Sequence, residues 1–222
     1  MKKIKNLDKQ ELIVCCGFII CMAILIWRCF YSVNYADEPY CIASVWRFYK
    51  GDALLAEDWF PAQQLIAWIL YPLYWLFRLF SNSNDGIILA SRIAYVLFQG
   101  MITVVMYCRL KKYGNYRIPA AMLYLLFTQN NMLTLNYNTL GTGCMILILT
   151  LLISEEKFSK PMLIFVGILT AVMVLSQPYA VLMFGLWGAV VLMAIPFSRK
   201  KEIHRCLSSE PSFGSESELF WY

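Results

Sequence analysis

The chain has 222 residues, 60% hydrophobic and 15% charged, with a formal net charge of +5. A soluble domain is about a quarter charged, so this composition excludes an ordinary water-soluble globule and predicts an all-α polytopic membrane protein. The positive balance does not imply a nucleic-acid partner, because Lys and Arg gather at the ends of apolar runs, where they set orientation in a bilayer.

The N-terminal "MKKIKNLDKQE" has the charge of a secretory n-region. The apolar run Leu12–Tyr31 is longer than a signal core, and Asn34-Tyr-Ala36 lacks the two small residues a peptidase prefers. It is read as an uncleaved first span. "ADEPY" then reads as a helix start. Asp37 can cap, Glu38 faces the positive end of the helix dipole, and Pro39 fits the first turn. This helix is expected to run to Lys50 and stop at Gly51. A second acidic cluster, Glu57 and Asp58 in "AEDWFP", follows.

Six further apolar runs follow: Ala62–Phe80, Ile87–Leu110, Ile118–Leu135, Leu140–Ile153, Pro161–Leu175 and Tyr179–Phe197. Three connections are basic: the N-terminus, "RLKKYGNYR" after the third run, and Arg199 to Arg205 after the last. All three can be cytoplasmic only if one run fails to cross. Ala62–Phe80 suits that role. It is dense in Trp and Tyr, carries Pro72 and ends near Arg78, a composition typical of the water–lipid boundary. The alternative is that it crosses and the charge rule is broken.

The expected architecture is therefore about six transmembrane helices, with both termini cytoplasmic. Amphipathic interfacial helices lie in a first outer loop, residues 32–86. Residues 1–197 form the membrane domain and residues 198–222 a polar cytoplasmic tail without period, read as disordered.

Seven of the eight cysteines, all but Cys206, precede the tail, most of them in apolar runs without a C-x-x-C pair, and the only histidine is His204. They read as small apolar packing residues, with Cys41 the one able to face outside. Intramembrane polar groups are few. Arg92 and Gln99, seven apart, share a helix face. Arg92 can either snorkel to the outer surface or face a lipid phosphate. Gln129, Asn130 and Asn131 form a polar step near an outer end. "NNMLTLNYNTLG" reads as a turn in which Asn138 or Thr139 caps the next helix.

Carboxylates at the outer boundary can bind a divalent cation or deprotonate an acceptor hydroxyl. Tyr40, Trp46 and Trp59 can form a sugar or lipid platform there, or serve as plain interface anchors. An Asp–Glu pair soon after the first span, a helix ending near "GD", an aromatic stretch with a proline, and a span opening "GIILASRIAYVL" that closes on a basic loop follow in order. In this order the chain resembles the GT-C membrane glycosyltransferases, most of all the protein O-mannosyltransferases and the lipid A aminoarabinose transferases.

The resemblance covers Leu12 to Phe197. It implies a polyprenyl-phosphate sugar donor and an acceptor hydroxyl outside the cell membrane, the acceptor itself being unnamed. Asp37 would be the base, with Glu38 assisting. Glu57, Asp58, Arg92, Tyr137 and Asn138 would contribute to binding donor and membrane lipid. Family members often place a second acid where Asn138 stands, and they are commonly much longer. The resemblance therefore implies an N-terminal portion only. The competing function is a non-catalytic membrane protein, truncated or a pseudoenzyme, that binds a lipid-linked substrate.

Overall fold

The structure, a computed structural model, describes residues 9–31, 37–54, 56, 65–155, 159–182, 185, 186 and 189. Seven helices are described: α1 (Lys9–Arg28), α2 (Asp37–Lys50), α3 (Ile66–Phe80), α4 (Ile87–Arg109), α5 (Arg117–Leu126), α6 (Tyr137–Ser154) and α7 (Lys160–Ser176). Two 3-10 segments, Leu110–Tyr116 and Gln129–Asn131, flank α5, and there is no strand among the described residues. These helices belong to a compact unit ending at Pro178. A second unit starts at Tyr179, the first residue of the last apolar run, and the expected tail lies outside the described residues.

Among the described residues, three stretches are helical, long and apolar enough to cross a membrane: Gln10–Arg28, Ile87–Leu126 and Tyr137–Ser154. The second joins α4 and α5 through a bend at Gly114, where the backbone leaves helical geometry at φ 58° and ψ −131°. At about 1.5 Å per residue, α1, α4 and α6 reach roughly 27–35 Å, matching a hydrocarbon core of about 30 Å. Helices α3 and α7 are apolar but shorter. Ile13, Ile20 and Trp27 on α1 and Ile164 and Ile168 on α7 are more than half exposed. In water each would forgo about 1.5–3 kcal/mol of burial energy. Against lipid tails that cost vanishes, so these faces fit membrane association.

The packed interior joins α1, α4 and α5. Leu25, Cys29, Tyr95, Val96, Leu125 and Leu133 form one buried cluster; Ile102, Met106, Ala121 and Tyr124 form another. Cys41 is also buried rather than facing outside, on the side of α2 turned toward the protein.

Local chemistry sets the helix ends. Helix α2 stops as expected: Gly51 takes φ 103°, its N–H donates to the Phe48 carbonyl (3.1 Å), and the Asp52 N–H donates to the Arg47 carbonyl (3.2 Å). This double closure satisfies two orphan carbonyls, and an Arg47–Asp52 ion pair at 2.7 Å lies across it. Helix α6 is capped by Asn136, not by Asn138 or Thr139. Asn136 Oδ1 accepts from the Thr139 N–H (2.9 Å), while the Asn136 N–H donates to Thr139 Oγ1 (2.9 Å). This reciprocal box starts the helix one residue before Tyr137.

The run Ile118–Leu135 is not one helix. Helix α5 ends at Leu126, and the chain continues through the 3-10 turn to Asn136. The cause lies on another helix. Gln99 of α4, fully buried, donates from Nε2 to the carbonyls of Tyr124 (2.9 Å) and Phe127 (2.7 Å). A helix end inside an apolar bundle needs such partners, because no water supplies them. Asn131, at φ 58°, occupies the left-handed region that Asn tolerates, and its Oδ1 accepts from Arg28 Nη2 at 2.8 Å. Gln99→Leu should therefore take the side-chain donor from the Phe127 carbonyl, while the Tyr124 carbonyl keeps the Phe127 N–H at 3.1 Å. An unmet buried acceptor costs about 1–3 kcal/mol, a loss readable as a lowered unfolding midpoint in detergent micelles.

Candidate functional site

The first turn of α2 carries the acidic pair. Glu38 is completely buried and meets Arg92 of α4, itself only 3% exposed. Arg92 donates from Nη2 (2.6 Å) and Nε (3.1 Å) to Glu38 Oε2. The other carboxylate oxygen, Oε1, accepts the backbone N–H of Leu133 at 3.1 Å. Arg92 Nη1 donates to the carbonyls of Cys29 (2.9 Å) and Tyr31 (3.1 Å), at the end of α1. One ion pair thus ties together the exit of α1, the start of α2, the outer part of α4 and the loop before α6.

This arrangement revises the expectation for Arg92. It neither snorkels nor turns to a lipid phosphate; its guanidinium is spent on Glu38 and on the α1 carbonyls. The reason is energetic. A lone intramembrane charge is costly, and pairing with a carboxylate plus backbone carbonyls relieves it. The sequence contained a signal for this, since an Arg inside an apolar run needs a partner and Glu38 is an acid beside an outer helix end. The Leu133 N–H had no such signal.

Glu38 does not fit a cation ligand. Both oxygens accept hydrogen bonds, and the guanidinium 2.6 Å away would repel a metal ion. No group of three or more His, Cys, Asp or Glu gathers among the described residues.

The other candidates are less connected. Helix α2 begins at Asp37, but the Asp37 side chain lies outside the described residues, as do Glu57 and Asp58. Tyr137 and Asn138, both half-buried, open α6. Asn138 Oδ1 accepts from Gln177 Nε2 at 3.2 Å, which joins the start of α6 to the end of α7. Gln129 Oε1 likewise accepts from Thr142 at 2.7 Å, so this part of the polar step bonds between elements.

Beside the clamp runs an open apolar groove of about 270 Å3, lined from α2 by Pro39, Ile42, Ala43 and Trp46 and from the α4 side by Asn84, Ile87 and Ile88. On its far side α2 packs on α3 through aromatic rings. Phe48 and Tyr71 meet edge-on at 5.3 Å, Tyr49 lies 5.2 Å from Tyr74, and the Tyr74 hydroxyl donates to Asn84 at 2.6 Å. The groove and the pinned first turn of α2 are therefore neighbours, held by packing on both sides. Comparison with protein-family models, with curated proteins and with solved structures finds no match for this chain.

Proposed function

We propose that the protein is a membrane glycosyltransferase that moves a sugar from a polyprenyl-phosphate donor to a hydroxyl acceptor on the outer face of the cell membrane. The observation that supports this reading is the Glu38–Arg92 clamp, which fixes the first turn of α2, the turn that contributes Pro39 to the apolar groove. A polyprenyl tail suits that groove. Its phosphate would then reach the surface beside Asp37. In the transfer step the acceptor oxygen forms a bond to the anomeric carbon. The bond from that carbon to the phosphate oxygen breaks, and polyprenyl phosphate leaves with the electron pair. Asp37 takes the acceptor proton. The transition state has oxocarbenium character, as in other displacements at a sugar carbon. Glu38 is a positioning residue.

In this reading six helices cross, both termini are cytoplasmic, and α3 lies at the outer surface. The choice of α3 rests on charge: the three basic connections fall on one side only if this helix does not cross. Ser83, exposed between α3 and α4, reports on this. A Ser83→Cys variant should react with a membrane-impermeant thiol reagent in intact cells. Labelling only after the membrane is opened would mean that α3 crosses.

A second reading has an observation in its favour. Glu38 and Arg92 bind each other and backbone groups, as in a purely structural clamp, which suits a non-catalytic protein that holds a lipid-linked substrate. The deciding experiment presents the purified chain with a panel of labelled polyprenyl-phosphate sugars in vesicles. Hydrolysis-independent transfer from any of them supports the enzyme. Binding of a donor without transfer to any acceptor supports the carrier.

A further inference from the structure

At the opposite end of α1 and α4, about 16–22 Å from Arg92 along α4, lies a second cavity. It measures about 320 Å3 and opens sideways between α1, α4 and α5. Its wall is apolar: Val14 and Phe18 from α1, Val104 from α4, Ile118 and Met122 from α5. That volume lies within the usual range of ligand sites, about 300–1,000 Å3. Around it the same helices expose Ile13, Met101 and Leu123, so the opening faces what those side chains face, the hydrocarbon of a membrane.

A basic stretch adjoins the cavity, ending at Arg117 next to the wall residue Ile118. The stretch from Arg109 to Arg117 holds Arg109, Lys111, Lys112 and Arg117 and no acid. Arg109 is engaged by Glu155 at 2.7 Å. Arg117 stacks its guanidinium over the ring of Tyr107, a wall residue, at 4.2 Å. Stacking uses the face of the guanidinium, so the ring does not consume its in-plane N–H groups. Lys111 and Lys112 are exposed in the same stretch, Lys112 with its ammonium 5.3 Å from the Tyr113 ring centre. Glu11, on the α1 side of the cavity, is the opposing charge.

The geometry points to a binding site for an anionic glycerophospholipid: one acyl chain fills the cavity, and the phosphate of the headgroup sits on Arg117 with Lys111 and Lys112. An apolar slot among helices that expose apolar side chains, with a basic stretch adjoining it, is complementary to both halves of such a molecule. A basic side chain near the surface contributes about 1 kcal/mol toward anionic lipid. The site is independent of the outer-face chemistry proposed above and stands whether or not transfer occurs.

The test uses the full chain, purified from detergent and offered phosphatidylglycerol or phosphatidylcholine, with retained lipid counted by native mass spectrometry. Phosphatidylglycerol should be retained in preference, and Arg117→Gln should lower that preference about fivefold. Val104→Trp, at a wall position that is itself half exposed and so tolerant of bulk, should abolish retention of both lipids. Equal retention of the two lipids by the wild type overturns the headgroup assignment. Undiminished retention by a folded Val104→Trp protein overturns the cavity as the site. A shift of Val104→Trp from dimer to monomer would show a second copy as the occupant and overturns the lipid.

Discussion

Glu38→Ala should cost about 3–5 kcal/mol of stability, because it leaves the Arg92 guanidinium buried without its carboxylate. That is a large share of the 5–15 kcal/mol that holds a typical domain folded. Arg92→Leu should cost at least as much, since it leaves the Glu38 carboxylate buried and also exposes the carbonyls of Cys29 and Tyr31. The two losses should not add. With Glu38→Ala and Arg92→Leu together no charge is stranded, and the double variant should lose less than the sum by about 1–3 kcal/mol. Unfolding midpoints in mixed micelles for the four proteins close the cycle. Additive losses would mean that the two groups do not feel each other, and the clamp would lose its meaning.

Asp37→Asn should have the opposite profile. The amide keeps the size and helix-start preference of the acid, so insertion and unfolding midpoint should remain close to wild type. Sugar transfer should fall by a factor of about 10²–10⁴, the usual contribution of a positioned base. The separation rests on Glu38: its two oxygens are committed to Arg92 and Leu133, which leaves it unsuited to accept a substrate proton.

The long helices were legible because a bilayer demands continuous apolar runs. Run Ile87–Leu110 became α4 with almost unchanged ends, and Leu140–Ile153 became α6 once Asn136 added the first turn. The end of α2 was legible too, because Gly51 announces a left-handed closure locally. What was hidden depends on distant partners. The break of α5 at Leu126 needs Gln99, 25 residues before Tyr124, to take the role of surrogate cap. The burial of Glu38 needs Arg92, 54 residues later. Cys41 could face outside because it lies between the apolar runs, but α2 buries it. A pattern read within one helix turn records neighbours along the chain, and these residues are fixed by neighbours across it.

Transfer per folded molecule, measured side by side for wild type, Asp37→Asn and Glu38→Gln, separates the jobs of the two adjacent acids. The expected result is an inactive, stable Asp37→Asn protein and a less stable Glu38→Gln protein whose folded fraction still transfers sugar. Wild-type transfer by Asp37→Asn would contradict the assignment of the base and leave the first turn of α2 as a structural clamp alone.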